Sequence, residues 1–331
     1  MVPTATPNAT FTPTPSPTPT ATPTPAPTQT GGGGQIAYYG TCMRPDGMGF
    51  MNAICGLNVS GGDTFYLTGG VDPALASGNR VAVVVNSGSG QFASGGVYVF
   101  DSDDQGSTST VVTSSGTYAE PAWSPDESKL AYAYRPNGSN TKYVVRTVNL
   151  NGTGVQTLTA TTVNSRAPHW SAASGKIVYT ADEGGDNEIW AMNADGSGKV
   201  QLTANSADDR DPRWSPDGTQ IVFASNRDGN DEIYRMIADG SNAVRLTNNP
   251  VDDREPAWSL DGASVAFASN RLNAGSATAG STYRIYTLRA SDGLNVTQAA
   301  DASARHPDWG IIGPPCDPFG GCTQSQTPPE E

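Results

Sequence analysis

The chain has 331 residues, 36% of them hydrophobic and only 15% charged, with 38 Gly, 25 Pro and a formal net charge of -13. That balance excludes a nucleic-acid binder, which needs basic surface to displace phosphate counterions, and it excludes an anionic membrane surface as a partner. No run of eighteen apolar residues is present to span a bilayer, and the abundance of Gly and Pro suits a turn-rich all-β fold.

The first segment, residues 1–34, is a tail. From Val2 to Thr30 it is almost all Thr, Pro and Ala without one charged residue, and Gly31 to Gly34 form a hinge. Such a segment has no apolar face to bury and favours an extended polyproline helix, with a reach on the order of 80 Å. Thr or Ser next to Pro suits O-glycosylation, with Thr12, Thr14, Ser16, Thr18 and Thr20 as candidates. Asn-x-Ser/Thr acceptors stand at Asn8, Asn58, Asn137, Asn151 and Asn295. These features predict an extracellular or cell-surface protein carrying covalent glycans. No secretory leader is legible ahead of the Thr/Pro run. The tail has two readings, a passive spacer or an element along which other copies of the chain assemble.

Three strands are predicted next, at Gln35 to Tyr39, Asn52 to Leu57 and Thr64 to Thr68. A repeat then begins. Pro73-Ala74-Leu75 is a degenerate copy of a Pro-x-Trp phrase that recurs at Pro121/Trp123, Pro168/Trp170, Pro212/Trp214, Pro256/Trp258 and Pro307/Trp309. The Trp spacings are 47, 44, 44 and 51, the last lengthened by a Gly/Ala/Ser insertion from Leu272 to Thr282. In the clearest period a strand ends at Trp214 and Ser215-Pro216-Asp217-Gly218 turns the chain. Strands follow at Ile221-Val222-Phe223, Glu232 to Met236 and Val244 to Thr247, with Asp239-Gly240 as a tight hairpin. Four short strands in about 44 residues are the signature of a propeller blade. After Trp309 no room remains for three more strands, whereas the three before Pro73 lack a first one. The C-terminal strand therefore completes the N-terminal blade. The prediction is an all-β, six-bladed propeller over residues 35–310, sealed by both chain ends, with a C-terminal tail over residues 311–331.

Cys42 and Cys55 fall in the N-terminal strands of the sealing blade, and Cys316 and Cys322 fall just after its C-terminal strand. An even count favours disulfides outside the cytoplasm. Both a bridge between the chain ends and local pairing (Cys42 with Cys55, Cys316 with Cys322) are open. The spacing does not suit a zinc site.

The phrase from Asp211 to Gly218, followed by Ile221-x-Phe223-x-Ser225-x-Arg227, Glu232-Ile233-Tyr234, Asp239-Gly240-Ser241 and Leu246-Thr247, resembles the repeat of TolB-like propellers. The resemblance covers residues 35 to 310 and implies a six-bladed ring. It implies little about activity, because this repeat serves adaptors, surface proteins and the gating propellers of peptidases.

The chemistry expected is that of binding. Neither a Gly-x-Ser-x-Gly elbow nor a His-Glu-x-x-His motif is present, and no cofactor or metal is expected. Arg166, Arg210, Arg254 and Arg305 stand two residues before the motif Pro, where the loops enter the innermost strands. They either form a channel mouth that captures an anionic group or pair with acids of adjacent blades and knit the ring. His169 and His306, the chain's two histidines, sit beside the repeat Trp, either lining the channel or filling a variable slot. Two functions are expected from this, neither of them enzymatic. One is a structural or assembly subunit that polymerises through its tail. The other is a TolB-like adaptor that holds a peptide or sugar at the channel mouth.

Overall fold

A computed structural model describes residues 35–43, 50–58, 64–68, 71–76, 80–85, 95–101, 107–138, 140–273, 279–300 and 304–310. Contacts within the chain separate Met1–Thr30 from Gly31–Glu331, and the first of these units lies wholly outside the described residues. The described residues form strands and turns without a helix, and no helix among them is long and apolar enough to cross a membrane.

The strands form six four-stranded antiparallel sheets. The second blade is β4 (Val71–Leu75), β5 (Arg80–Val85), β6 (Gly96–Asp101) and β7 (Ser107–Thr113). The third is β8 (Gly116–Trp123), β9 (Lys129–Pro136), β10 (Val144–Asn149) and β11 (Gln156–Thr157). The fourth is β12 (Ser165–Trp170), β13 (Ile177–Ala181), β14 (Glu188–Met192) and β15 (Val200–Gln201). The fifth is β16 (Asp209–Trp214), β17 (Gln220–Ser225), β18 (Glu232–Ile237) and β19 (Val244–Arg245). The sixth is β20 (Asp253–Trp258), β21 (Ser264–Arg271), β22 (Ala279–Arg289) and β23 (Thr297–Ala300). The first blade joins both ends of the chain in the order β24 (Arg305–Gly310), β1 (Gln35–Met43), β2 (Phe50–Asn58) and β3 (Thr64–Thr68). The expected closure is therefore present, with Ile36 opposite Trp309 and Ala37 opposite Asp308. The six innermost strands touch one another in a closed circle, β4 to β8, β12, β16, β20, β24 and back to β4.

Both faces of a middle strand are buried, so its sequence is an apolar run and does not alternate. Ile221 to Ser225 of β17 and Ile177 to Ala181 of β13 are buried throughout. Six apolar clusters result among the described residues, and each straddles one seam between neighbouring blades. Phe223 and Phe267 are fully buried, and each such ring contributes about 2–3 kcal/mol by leaving water. The repeat Trp residues belong to these seams. Trp123 Nε1 donates to the Ala74 carbonyl at 2.9 Å and Trp258 Nε1 to the Arg213 carbonyl at 3.1 Å, in each case on the preceding blade.

The turns follow from local hydrogen bonding. Ser215 Oγ donates to Asp217 Oδ1 at 2.6 Å, and the Thr219 N–H donates to the same oxygen at 3.0 Å. The Asp239-Gly240 hairpin needs its glycine, because Gly240 has φ +90° and a Cβ there would lie 2.4 Å from the Leu202 carbonyl oxygen.

Cys55 is disulfide-bonded. It stands opposite Tyr38, whereas Cys42 stands opposite Met51, four residues further along β1. That offset is about 13 Å at the rise of a strand, beyond the ~7 Å Cα separation a disulfide spans. Local pairing of Cys42 with Cys55 is thus excluded by register. Cys316 and Cys322 lie outside the described residues. Non-reducing peptide mapping is expected to recover Cys55 linked to a peptide from residues 311–331. A Cys42–Cys55 peptide would show that the β1–β2 register is wrong.

Truncation after Ala304 removes β24 and leaves β1 with an unpaired inner edge, so cooperative thermal unfolding is expected to be lost. An unchanged melting temperature would mean that β24 does not seal the ring.

Candidate functional site

Every innermost strand carries the same irregularity. Its pairing with the second strand slips between Val71 and Ala74, Ala119 and Ala122, Arg166 and His169, Arg210 and Arg213, and Arg254 and Ala257. On β24 the slip falls between Arg305 and Asp308. The cause is the motif proline, which has no N–H to donate to the ladder and disfavours the right-handed region for the residue before it. That preceding residue takes a left-handed conformation at all six positions: Asp72 (φ 50°), Glu120 (52°), Ala167 (48°), Asp211 (54°), Glu255 (55°) and His306 (52°). Such a conformation costs an L-residue about 1–2 kcal/mol, and here it recurs once per blade. The bulge turns the preceding side chain toward the axis. Asp72, Glu120, Asp211, Glu255 and His306 line a single cavity of about 20 Å³ together with Arg213, space for one water-sized or ammonium-sized centre.

Three of the four carboxylates accept a hydrogen bond from the next blade. The Glu120 N–H donates to Asp72 Oδ2 at 3.1 Å, the Ala167 N–H to Glu120 Oε2 at 2.7 Å, and the His306 N–H to Glu255 Oε2 at 2.8 Å. Asp211 breaks the series. No hydrogen bond reaches its carboxylate among the described residues, and burial, reinforced by Glu255 and Glu120, pushes its pKa up to about 6. Burial also works against the Glu255 charge, but His306, Arg305 and the donated N–H outweigh it and hold that carboxyl below its ordinary range. Burial raises Asp72 above the ordinary carboxylate value. His306 Nε2 lies 3.4 Å from Asp72 Oδ1 and 3.8 Å from Glu255 Oε1.

The four arginines singled out in the sequence reach carboxylates. Arg166 Nη2 lies 2.8 Å from Glu120 Oε1 and Arg305 Nη2 2.8 Å from Glu255 Oε1, each across a seam. Arg254 pairs across its seam with Asp231, and with Asp252 at 3.2 Å. Arg210 pairs with Asp208 at 2.9 Å. Arg166 also stacks over Tyr143 and Arg305 over Tyr283, at 4.5 Å in both cases. Arg166, Arg254 and Arg305 thus stitch blades together while Arg210 pairs within its own blade, and the cavity near them is acidic. His169 serves the same end. Its Nδ1 accepts the Trp214 N–H at 3.1 Å, and burial, helped by Arg213, pushes its pKa down to about 3. It is a neutral acceptor between blades, whereas His306 joins the axial cluster.

The axial carboxylates were missed in the sequence, although a signal was available. The residue immediately before each motif proline reads Asp72, Glu120, Ala167, Asp211, Glu255 and His306 in chain order, four acids in six positions. Among the described residues no group of three or more His, Cys, Asp or Glu side chains is arranged to hold a metal ion. Thr and Asn candidates for glycosylation in residues 1–34 lie outside the described residues, whereas Asn137, Asn151 and Asn295 are exposed.

A family model for the TolB beta propeller domain matches residues 76–281. No curated protein sequence matches the chain. Among solved structures, TolB from Acinetobacter baumannii is similar at 18% identity and a TM-score of 0.67, over 84% of this chain and 67% of that one. A putative TolB from Agrobacterium tumefaciens is similar at 20% identity and a TM-score of 0.62, over 83% of this chain and 92% of that one. A chain of a nidogen/laminin complex is similar at 10% identity and a TM-score of 0.61, over 85% and 98%. At these identities the likeness to solved structures is one of fold.

The left-handed ring is open to measurement at Ala167, which contributes no charge. Ala167→Gly removes the Cβ strain at φ 48° and is expected to raise stability by about 0.5–1 kcal/mol in denaturant unfolding, less than the full strain because glycine is freer when unfolded. A loss of stability would show that the left-handed conformation is not strained.

Proposed function

The chain belongs to the TolB β-propeller domain family, and we propose that within it this protein is a non-catalytic extracellular recognition module that takes a basic group of a peptide partner at the axial cavity. The observation that carries this reading is Asp211, a carboxylate on the cavity wall that accepts no hydrogen bond among the described residues while its three counterparts each accept one. Asp211 is only partly buried and its oxygens are not sealed from the cavity, so water meets them in the free protein and a cationic group of a ligand can take that place. A lysine ammonium or a chain N-terminus has the size to enter a space of about 20 Å³ and the charge to meet this carboxylate. The likeness in fold to a chain found in a nidogen/laminin complex is compatible with protein recognition. A non-catalytic role agrees with His169 held neutral as an acceptor and with Glu120 and Glu255 committed to arginines and backbone N–H groups.

In this reading the Thr/Pro tail is a glycan-bearing tether that holds the propeller away from a surface. Assembly of copies through that tail, the other function expected from the sequence, rests on residues 1–34.

Panning a random peptide library against the full-length chain is expected to enrich peptides with a lysine or a free amine. Asp211→Asn should weaken the best of them about tenfold, the scale of one charge-assisted bond. Binding should strengthen from pH 5 to pH 7 as Asp211, raised to about 6, ionises. Enriched peptides without a basic group, or full affinity in Asp211→Asn, would overturn the reading.

A further inference from the structure

The strand that closes the ring carries two groups whose polar contacts depend on protons, His306 and Asp308. β24 enters from the C-terminal end of the chain and is wedged between the sixth and second blades. His306 reaches both. Its backbone N–H donates to Glu255 of β20 at 2.8 Å, and its imidazole Nε2 lies 3.4 Å from Asp72 of β4 and 3.8 Å from Glu255. Two residues on, Asp308 Oδ2 accepts the Leu75 N–H of β4 at 2.6 Å. We propose that these contacts form an acid-tightened seal, in which protonated His306 bridges carboxylates of the two blades that flank the closing strand.

The charged groups facing His306 are Asp72, Glu120 and Glu255, opposed by Arg305 on its own strand, with Asp211 and Arg213 on the far wall of the cavity. Burial disfavours the imidazolium, but Glu255, Asp72 and Glu120 outweigh burial and Arg305, so the ring holds its proton above the ordinary histidine value of 6.5. A group whose folded pKa is raised contributes its stability fully below the unfolded value and loses it as pH rises through the folded value. Asp308 acts in the same direction. Burial raises its carboxyl to about 6, against the Leu75 N–H and Arg213, so the strand carries a buried charge only partly offset by these partners above that pH. Both groups on β24 therefore favour the closed ring in mild acid and weaken it toward mild alkali. The inference concerns closure and does not depend on what the cavity binds.

The test uses the full chain. Its two histidines give two imidazole signals in a side-chain NMR titration. The His306 midpoint is expected above 6.5, and His169, pushed down to about 3, is expected not to titrate above pH 4. A His306 midpoint at or below 6.5 would overturn the proposal. Hydrogen exchange provides the second readout, corrected for intrinsic rates and referenced to β10 in the third blade. Protection of β24 amides is expected to fall about tenfold or more from pH 6 to pH 9 in the native chain, and by a clearly smaller factor in His306→Gln. An equal fall in both proteins would assign the pH dependence to groups other than His306.

Discussion

No blade of this protein can bury its own faces. Each is a thin sheet with middle strands that are apolar on both sides, and the only available cover is the next blade. Six seams must therefore form together, and each of the six apolar clusters needs residues from two blades. The pairing of β24 with β1 completes the circle and lets the first and sixth blades cover one another. Without it Ile36, Tyr38 and Cys55 on one side and Ala266, Ala268 and Ile285 on the other, now packed in one cluster, would face water. The loop entropy of joining residues so far apart in sequence is paid at this one place.

The same demand for close blade packing brings the motif proline to the axis. A proline in an inner strand leaves a gap in the hydrogen-bond ladder and forces a bulge, and the residue before it is turned into the left-handed region. What begins as a backbone accommodation ends as a ring of side chains pointing inward. The ring then contributes to packing in its turn. Asp72, Glu120 and Glu255 accept N–H groups of the following blade, so the six-fold backbone irregularity becomes a chain of polar contacts between blades. Above it the N–H groups of Ser165, Asp209, Asp253 and Ala304 donate to Tyr143, Asn187, Asp231 and Tyr283 carbonyls of the preceding blade at 2.7–2.9 Å.

The architecture was legible because its determinants are local and repeated. Trp123, Trp170, Trp214, Trp258 and Trp309 mark the period, Asp239-Gly240 and Ser215 to Gly218 mark the turns, and the missing strand at each end of the chain marks the closure. The axial site was less legible for a geometric reason. A regular strand alternates its side chains, and extrapolation from Trp214 along such a strand misplaces Asp211, because the bulge intervenes between Arg210 and Arg213. The arginines were noticed for their charge, yet Arg166, Arg254 and Arg305 find partners in other blades. Arg166 and Glu120 are 46 residues apart and Arg305 and Glu255 are 50 apart, so no local pattern announces them. The slot that receives these arginines changes from Tyr143 to Asp231 to Tyr283, an exchange of ring face for carboxylate that preserves the attraction for a guanidinium while concealing the repeat.

The axial cluster gathers like charges, which folding alone does not favour. Glu120 and Glu255 are neutralised by Arg166 and Arg305, and Asp72 is shared between a backbone N–H and His306. Each of these carboxylates thus has a structural reason to be present. Asp211 has no hydrogen bond of that kind, and Arg213 and His306 offset only part of the burial that disfavours its charge. The preceding blade offers Ala167 in place of an acid, so the Asp211 N–H receives no axial carboxylate, and the Asp211 side chain makes no hydrogen bond onward to Glu255 among the described residues. Its neighbours Glu255 and Glu120 disfavour its charge further. An alanine would sit at this position as it does at Ala167, with the same backbone conformation and without the charge. The carboxylate is thus not demanded by the packing of the ring, and its place on the cavity wall suits a positively charged group that enters from outside.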